Sequence, residues 1–249
     1  MCETMPHSEQ LSGKIAVVTG GSRGIGFAVT EVLVSFGVDV VISGRSHEGL
    51  ESARSRLEKA AAFEGAGRVA IAQGDLRDPL HAEQVIETAV DRFGGLDILV
   101  NNAGVGRFKN ILDQSVDDWQ EVIETNLHAV FFCCKAAIPV LLGRGGGWII
   151  NISSLAGSHP FAGGSAYCAS KAGLDAFTTS LMLELRQYDI RVSSIAPGSV
   201  STSFGGGAIH QTAPWKLTAS DVARVVTDVL SHEQHSLPSR VELRPSKLS

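Results

Sequence analysis

Cysteine is scarce in this chain: four among 249 residues, at Cys2, Cys133, Cys134 and Cys168, with no C-x-x-C spacing. That excludes a disulfide framework, and all four read as reduced thiols of a reducing compartment, Cys133 and Cys134 pointing to different faces of a helix. Basic charge is in deficit, with 21 Lys and Arg against 26 Asp and Glu for a net charge of −5. No basic face is expected for nucleic acid, and no polybasic anchor for an anionic membrane. No His, Cys and carboxylate cluster has metal-ligand spacing, so no metal is expected. The longest uncharged stretch, between Arg144 and Lys171, is broken by Asn151, Pro160 and repeated serines and glycines. No apolar helix of about 20 residues is therefore expected to cross a bilayer. Residues 1–12 hold Glu3 and Glu9 and no apolar core, unlike a signal peptide, and read as an extended tail. A cytoplasmic globular protein is expected.

What the chain does have is apolar mass: 44% of its residues are hydrophobic, enough for a large core. Short β-branched runs recur at Ile15–Val18, Val38–Ser43, Arg68–Ala72, Asp97–Val100, Trp148–Ile152, Arg191–Ile195 and Val241–Arg244. Segments of helical period lie between them, at 24–36, 47–62, 79–93, 116–142, 166–188 and 219–231. Strands apolar on both faces, alternating with helices, predict an α/β fold. The expectation is one doubly wound domain over 1–249, a Rossmann fold with a seven-stranded, mostly parallel sheet and helices on both faces. Within it, 203–216 reads as a short lid over substrate and 235–249 as a C-terminal strand and tail. Ligands of such sheets bind outside the carboxyl ends of the strands, so the residues there matter most.

After the first strand comes Thr19-Gly20-Gly21-Ser22-Arg23-Gly24-Ile25-Gly26 and then a helix. Glycines 20, 24 and 26 permit a tight turn, close approach of a pyrophosphate and close helix–strand packing. The helix start offers free N–H groups to phosphate. At the end of the second strand stands Arg45, where an NAD-preferring fold places an acid; Asp39 is at the wrong end. Arg23 and Arg45 together suit a 2′-phosphate, so NADP(H) is the expected cofactor. Asp75-Leu76 after the third strand is placed to meet adenine, with a helix N-cap as the plainer reading of Asp75. Asn101-Asn102-Ala103-Gly104 after the fourth strand offers a flat backbone to ribose and nicotinamide.

Tyr167 and Lys171, at i and i+4, share one helix face. A nearby ammonium is expected to lower the tyrosine pKa toward the working range. Ser154, thirteen residues before Tyr167, follows the fifth strand across an uncharged loop. Pro197-Gly198 ends the sixth, with Val200 and Thr202 after it.

These motifs are similar to those of the short-chain dehydrogenase/reductases: T-G-G-S-R-G-I-G at 19–26, N-N-A-G at 101–104, Asn126, Ser154, Y-C-A-S-K at 167–171 and P-G-S-V-S-T at 197–202. The resemblance runs from about Ser12 to Leu230. It implies that Tyr167 is the general acid/base, that Lys171 lowers its pKa and binds the nicotinamide ribose, and that Ser154 orients the carbonyl oxygen. It further implies that Asn126 holds a water of a proton relay, and that residues 195–202 contact the carboxamide. Basic residues at 23 and 45 match the family's NADP-preferring pattern.

The implied activity is hydride transfer between nicotinamide and a small-molecule carbonyl or secondary alcohol, a carbonyl reductase or ketoreductase. Reduction of 3-oxoacyl thioesters is the alternative, but the usual T-G...D-G-G ending is replaced by His235–Arg240 leading into Val241–Pro245. A redox sensor without catalysis would have damaged Ser154, Tyr167 or Lys171, all of which are intact. A sugar-nucleotide epimerase would need further length. Substrate-facing candidates are Val105, Gly106, Ser154, Leu155, His159, Phe161, Phe204 and Trp215, several of which could equally be packing residues. The glycine-rich lid suggests an open, mobile site. Cys168 and His128 read as structural. The apolar excess of helices 116–142 and 166–188, with Phe131, Phe132, Phe177, Met182 and Leu185, suggests a homodimer or homotetramer.

Overall fold

The computed structural model describes residues 10–206 and 213–247. The β-branched runs become β1 (Ile15–Thr19), β2 (Asp39–Gly44), β3 (Val69–Gln73), β4 (Ile98–Asn101), β5 (Gly147–Ile152), β6 (Ile190–Pro197) and β7 (Arg240–Leu243). They form one seven-stranded sheet in the order β3-β2-β1-β4-β5-β6-β7, parallel throughout. Helices α1 (Gly24–Ser35), α2 (His47–Ala60) and α7 (Ala219–Leu230) cover one face; α3 (Pro79–Phe93), α5 (Ala129–Gly143) and α6 (Ser165–Leu185) cover the other. The period of two decides which side chain goes where. Ala16 and Val18 of β1 join the core under α1, while Ile15 and Val17 join the core under α3 and α5.

Local signals set most helix starts. Ser46, Asp78 and Thr218 accept a first-turn backbone N–H at the starts of α2, α3 and α7, the arrangement that satisfies an otherwise orphaned donor. Ser115 does the same for α4 (Val116–Ile123). Asp78 is thus the cap of α3, and Asp75 is not.

Four expectations need correcting. The helix expected over 116–142 is α4, a π-helical turn at Glu124–His128, and α5. A π turn inserts one residue into the i→i−4 ladder, which hydrophobic period does not register. The run Val116–Gly143 is also long and apolar enough to cross a membrane by length and composition, at mean hydropathy 1.5, against the expectation of no such helix. Its inner stripe, Ala129, Val130, Cys133, Cys134, Ala137 and Leu141, is buried against the sheet and α3. Cys133 and Cys134 are therefore both in the core rather than on separate faces, and burial pushes the Cys133 thiol up to about 12 and the Cys134 thiol higher still. Finally, the expected tail 1–12 lies mostly outside the described residues, but Gln10 and Leu11 are helical and Leu11 is buried in the core.

Candidate active site

From β1 the chain moves outward through β2 to β3, then returns to place β4 on β1's other side. This reversal opens a crevice at the carboxyl ends of β1 and β4. Thr19 stitches its floor: its hydroxyl accepts from the Asn102 and Ala103 N–H groups at 2.9 Å each. The Asn102 amide donates to the Thr19 carbonyl at 2.9 Å. Above lies a cavity of about 290 Å³. Gly20, Ser22, Arg23, Gly24, Ile25, Arg45, Asp75, Leu76, Asn102, Ala103, Gly104, Pro197, Gly198, Val200 and Thr202 all line it, whereas Gly26 and Asn101 do not.

The glycine turn fits a dinucleotide. Gly20 and Gly24 have φ of 65° and 57°, which side chains disfavour. A Cβ at Gly20 would lie 3.0 Å from the Ala103 Cα. Gly26 serves packing instead of lining: a Cβ there would meet the Gly20 carbonyl and, at 2.5 Å, the Asn102 amide nitrogen. Unlike α2 and α7, which share its face of the sheet, helix α1 has no side-chain cap and no acid in its first turn; Arg23 at its N-cap is extended. An uncapped helix start beside a cavity suits an anion. Arg23 and Arg45 line the same end, with the Arg45 Nη1 4.0 Å from Glu121 Oε1. Arg77, which the sequence reading passed over, lines it as well. It grips Asp75 through Nε at 3.0 Å and Nη2 at 2.6 Å and holds that carboxyl below its ordinary range. Asp75 thus faces the cavity as half of an ion pair.

At the other end, β5 delivers Ser154 and α6 delivers Tyr167 and Lys171 to the same cavity. Ser154 Oγ accepts from the Ala156 N–H at 3.2 Å. Lys171 is buried; its Nζ donates to the Ile152 carbonyl at 2.8 Å and lies 5.9 Å from the Tyr167 ring centre. Burial lowers the Lys171 pKa to about 8, with Asp175 pulling the other way. The Tyr167 phenol is raised, chiefly by burial, while the Ser154 hydroxyl draws it down. Burial outweighs the lowering expected from Lys171.

Asn126 does not line the cavity. It is fully buried in the π turn; it accepts from the Val105 N–H at 2.8 Å and donates to the Val105 carbonyl and Ser170 Oγ at 3.0 Å each. Through these bonds its side chain fastens the loop after β4 to α6. Among the substrate candidates Val105, Ser154 and Phe204 line the cavity. Gly106, Leu155, His159, Phe161 and Trp215 do not; His159 is exposed. The missed contributor is Phe108, whose ring stands edge-on to Tyr167 at 5.5 Å between centres. Lid residues 207–212 lie outside the described residues, so the expectation of an open, mobile lid does too. Among the described residues no three His, Cys, Asp or Glu are grouped to hold a metal.

Fold and site define an α/β oxidoreductase built around a dinucleotide-type turn. Comparison with known proteins supplies the family. The family model described as short chain dehydrogenase matches residues 14–212. An uncharacterized oxidoreductase of Staphylococcus aureus (strain USA300) is 32% identical over 235 residues, covering 94% of this chain and 98% of the relative. Among solved structures, an alcohol dehydrogenase from the archaeon Thermococcus sibiricus, complexed with 5-hydroxy-NADP, is 28% identical with TM-score 0.86, covering 94% of this chain and 97% of that one. A metagenomic short-chain oxidoreductase in complex with NADP is 35% identical with TM-score 0.80, covering 96% and 100%. The chain belongs to the short-chain dehydrogenase/reductase family.

Proposed function

We propose that this protein is an NADP(H)-dependent oxidoreductase acting between a carbonyl and its secondary alcohol. The observation that carries the reading is convergence: Ser154, Tyr167 and Lys171 line the same cavity as the uncapped start of α1 and Arg45. The nicotinamide cofactor, when bound, supplies or takes the hydride. Gly20, Ser22, Gly24 and Ile25 would hold its pyrophosphate, Arg23 and Arg45 its 2′-phosphate, and Asp75 and Leu76 would border its adenine. Asn102, Ala103 and Gly104 would face its ribose and nicotinamide, and Pro197, Gly198, Val200 and Thr202 its carboxamide.

Tyr167 gives its proton to the carbonyl oxygen in reduction and recovers it in oxidation. Burial keeps the phenol protonated, which suits an acid waiting for a developing alkoxide. Ser154 hydrogen-bonds that oxygen and fixes its direction. Lys171, while charged, favours the phenolate left behind. The NADP named in the two solved relatives supports the cofactor assignment. The reading also includes a cytoplasmic homodimer or homotetramer.

The deciding experiment follows NADPH oxidation, with NADH in parallel, against a panel of ketones, aldehydes and an acetoacetyl thioester. Turnover is expected with NADPH and is expected to vanish in Tyr167→Phe. A Tyr167→Phe protein as active as the parent would overturn the assignment, and acetoacetyl thioester as the best substrate would make the chain a thioester reductase.

A further inference from the structure

Three phenylalanines from three separate segments cluster beside Tyr167: Phe204 lines the cavity, Phe108 packs on Phe204 and Tyr167, and Phe161 packs on Phe108 outside the lining. Phe108 comes from the loop after β4, Phe161 from the loop before α6, and Phe204 from a short turn at Phe204–Gly206 in the lid. Phe108 and Phe204 each lie 5.5 Å from the Tyr167 ring centre. Phe108 is 6.3 Å from Phe204 and 5.9 Å from Phe161. All three are exposed, at 46%, 49% and 42%, although a soluble fold gains nothing by showing adjacent rings to water. Glycines make room for them. A Cβ at Gly106 would sit 2.8 Å from both Phe108 and Phe204, and Gly205, at φ 74°, would press one within 2.8 Å of Phe108.

Both cations that flank Phe108 are already paired. Arg107 pairs with Glu121 at 2.8 Å and Lys109 with Asp118 at 2.7 Å. Both acids belong to α4, so neither cation is left over for an anionic substrate. A carboxylate or phosphate brought against the rings would lose water without gaining a partner. A flat apolar group would gain edge-to-face contact and bury ring surface already exposed.

We propose that Phe108, Phe161 and Phe204 form an aromatic collar over Tyr167 that selects uncharged aryl ketones and aryl secondary alcohols. The inference rests on the oxidoreductase reading above. In the reductive direction the carbonyl carbon gains the hydride, the π pair passes to oxygen, and that oxygen takes the Tyr167 proton. The nicotinamide is left oxidised. The collar holds the aryl group so that the carbonyl oxygen falls between Ser154 and Tyr167.

The test compares kcat/KM with NADPH for acetophenone, 4-carboxyacetophenone and butanone, in the parent, Phe108→Ala and Phe161→Ala proteins. Alongside it, calorimetry measures binding of 1-phenylethanol and its 4-carboxylate in the presence of NADP. Acetophenone is expected to exceed its carboxylate by about tenfold or more, the cost of an unpaired charge on an apolar surface. Each substitution is expected to cut the acetophenone-to-butanone ratio by about fivefold, mostly through KM. Equal rates for the neutral and carboxylated ketones, or equal losses on acetophenone and butanone, would overturn the collar while leaving the oxidoreductase intact. Should no carbonyl turn over with either cofactor, the functional reading falls, and calorimetry still decides the collar. Weaker phenylethanol binding in Phe108→Ala supports it; unchanged binding overturns it.

Discussion

Lys171 is where burial and chemistry oppose each other most directly. It has almost no contact with solvent, and burial takes its pKa from 10.5 to about 8. Below pH 8 the lysine is charged in both the folded and unfolded chain, so the folded state bears the desolvation cost in full. Between pH 8 and 10.5 the unfolded chain binds the proton that the folded one has released, and stability rises with pH in that window. At 1.36 kcal/mol per pKa unit the relief amounts to about 3 kcal/mol. Denaturant unfolding at pH 7.5 and 10 should therefore show the parent gaining on Lys171→Met as pH rises; a gap constant across that range would contradict the buried charge. Arg45 is a second residue-scale case. Replacing it with Asp should lower the NADPH-over-NADH preference at least tenfold, since one charge-assisted hydrogen bond contributes roughly 1.5–3 kcal/mol. Unchanged selectivity would remove its role.

The same scale shows what a sequence can disclose. Ser154, Tyr167, Lys171 and the glycine turn were legible because strand ends and helix spacing carry them to one place whatever the side-chain details. Phe108 and Arg77 were not. Phe108 matters through Tyr167, 59 positions along the chain, and Arg77 through its grip on Asp75 and its approach to Glu124 at 3.7 Å. Neither relation leaves a periodic or motif signal.

At the scale of elements, strand positions were readable to within about two residues because apolar β-branched runs between glycines leave little choice. The helices over 116–142 and 166–188 were placed but their breaks were not. α6 ends at Leu185 in a 3-10 turn, Arg186–Tyr188, and Asp189 closes it at φ 56°. The π turn has a clearer cause for its position, since it brings Asn126 onto both Val105 backbone groups and Ser170. Asn126→Ala would leave the half-buried N–H and carbonyl of Val105 without this partner. Each such group costs about 1–3 kcal/mol, so the variant should lose about 3 kcal/mol in urea unfolding. Its KM should also rise, because Val105 lines the cavity. A loss under about 0.5 kcal/mol would mean that the π turn stands without this side chain.

The whole molecule presents two cores, one on each side of a sheet, and an outer surface that is not uniformly polar. Phe131, Phe132 and Phe177 form a cluster bridging α5 and α6, with ring centres 5.7 and 6.3 Å apart. Phe131 is 46% exposed and Leu183 53%. Leu185, expected on this surface, is instead buried at 7% in the core under α6, since it follows Leu181 by one helical turn on the inward stripe. Subtracting it leaves a strip along the outer sides of two neighbouring helices, a shape that a second copy related by a twofold axis can cover with the same strip. Exposed apolar side chains on two such helices favour association. Light scattering at micromolar concentration should give a dimer or tetramer, and Phe131→Glu should shift it toward the monomer by burying a charge in the contact. The cavity lies at the strand ends, away from this strip, so the variant's kcat/KM should follow its stability rather than fall ahead of it. A parent protein that scatters as a monomer would leave the exposed rings of α5 and α6 without this explanation.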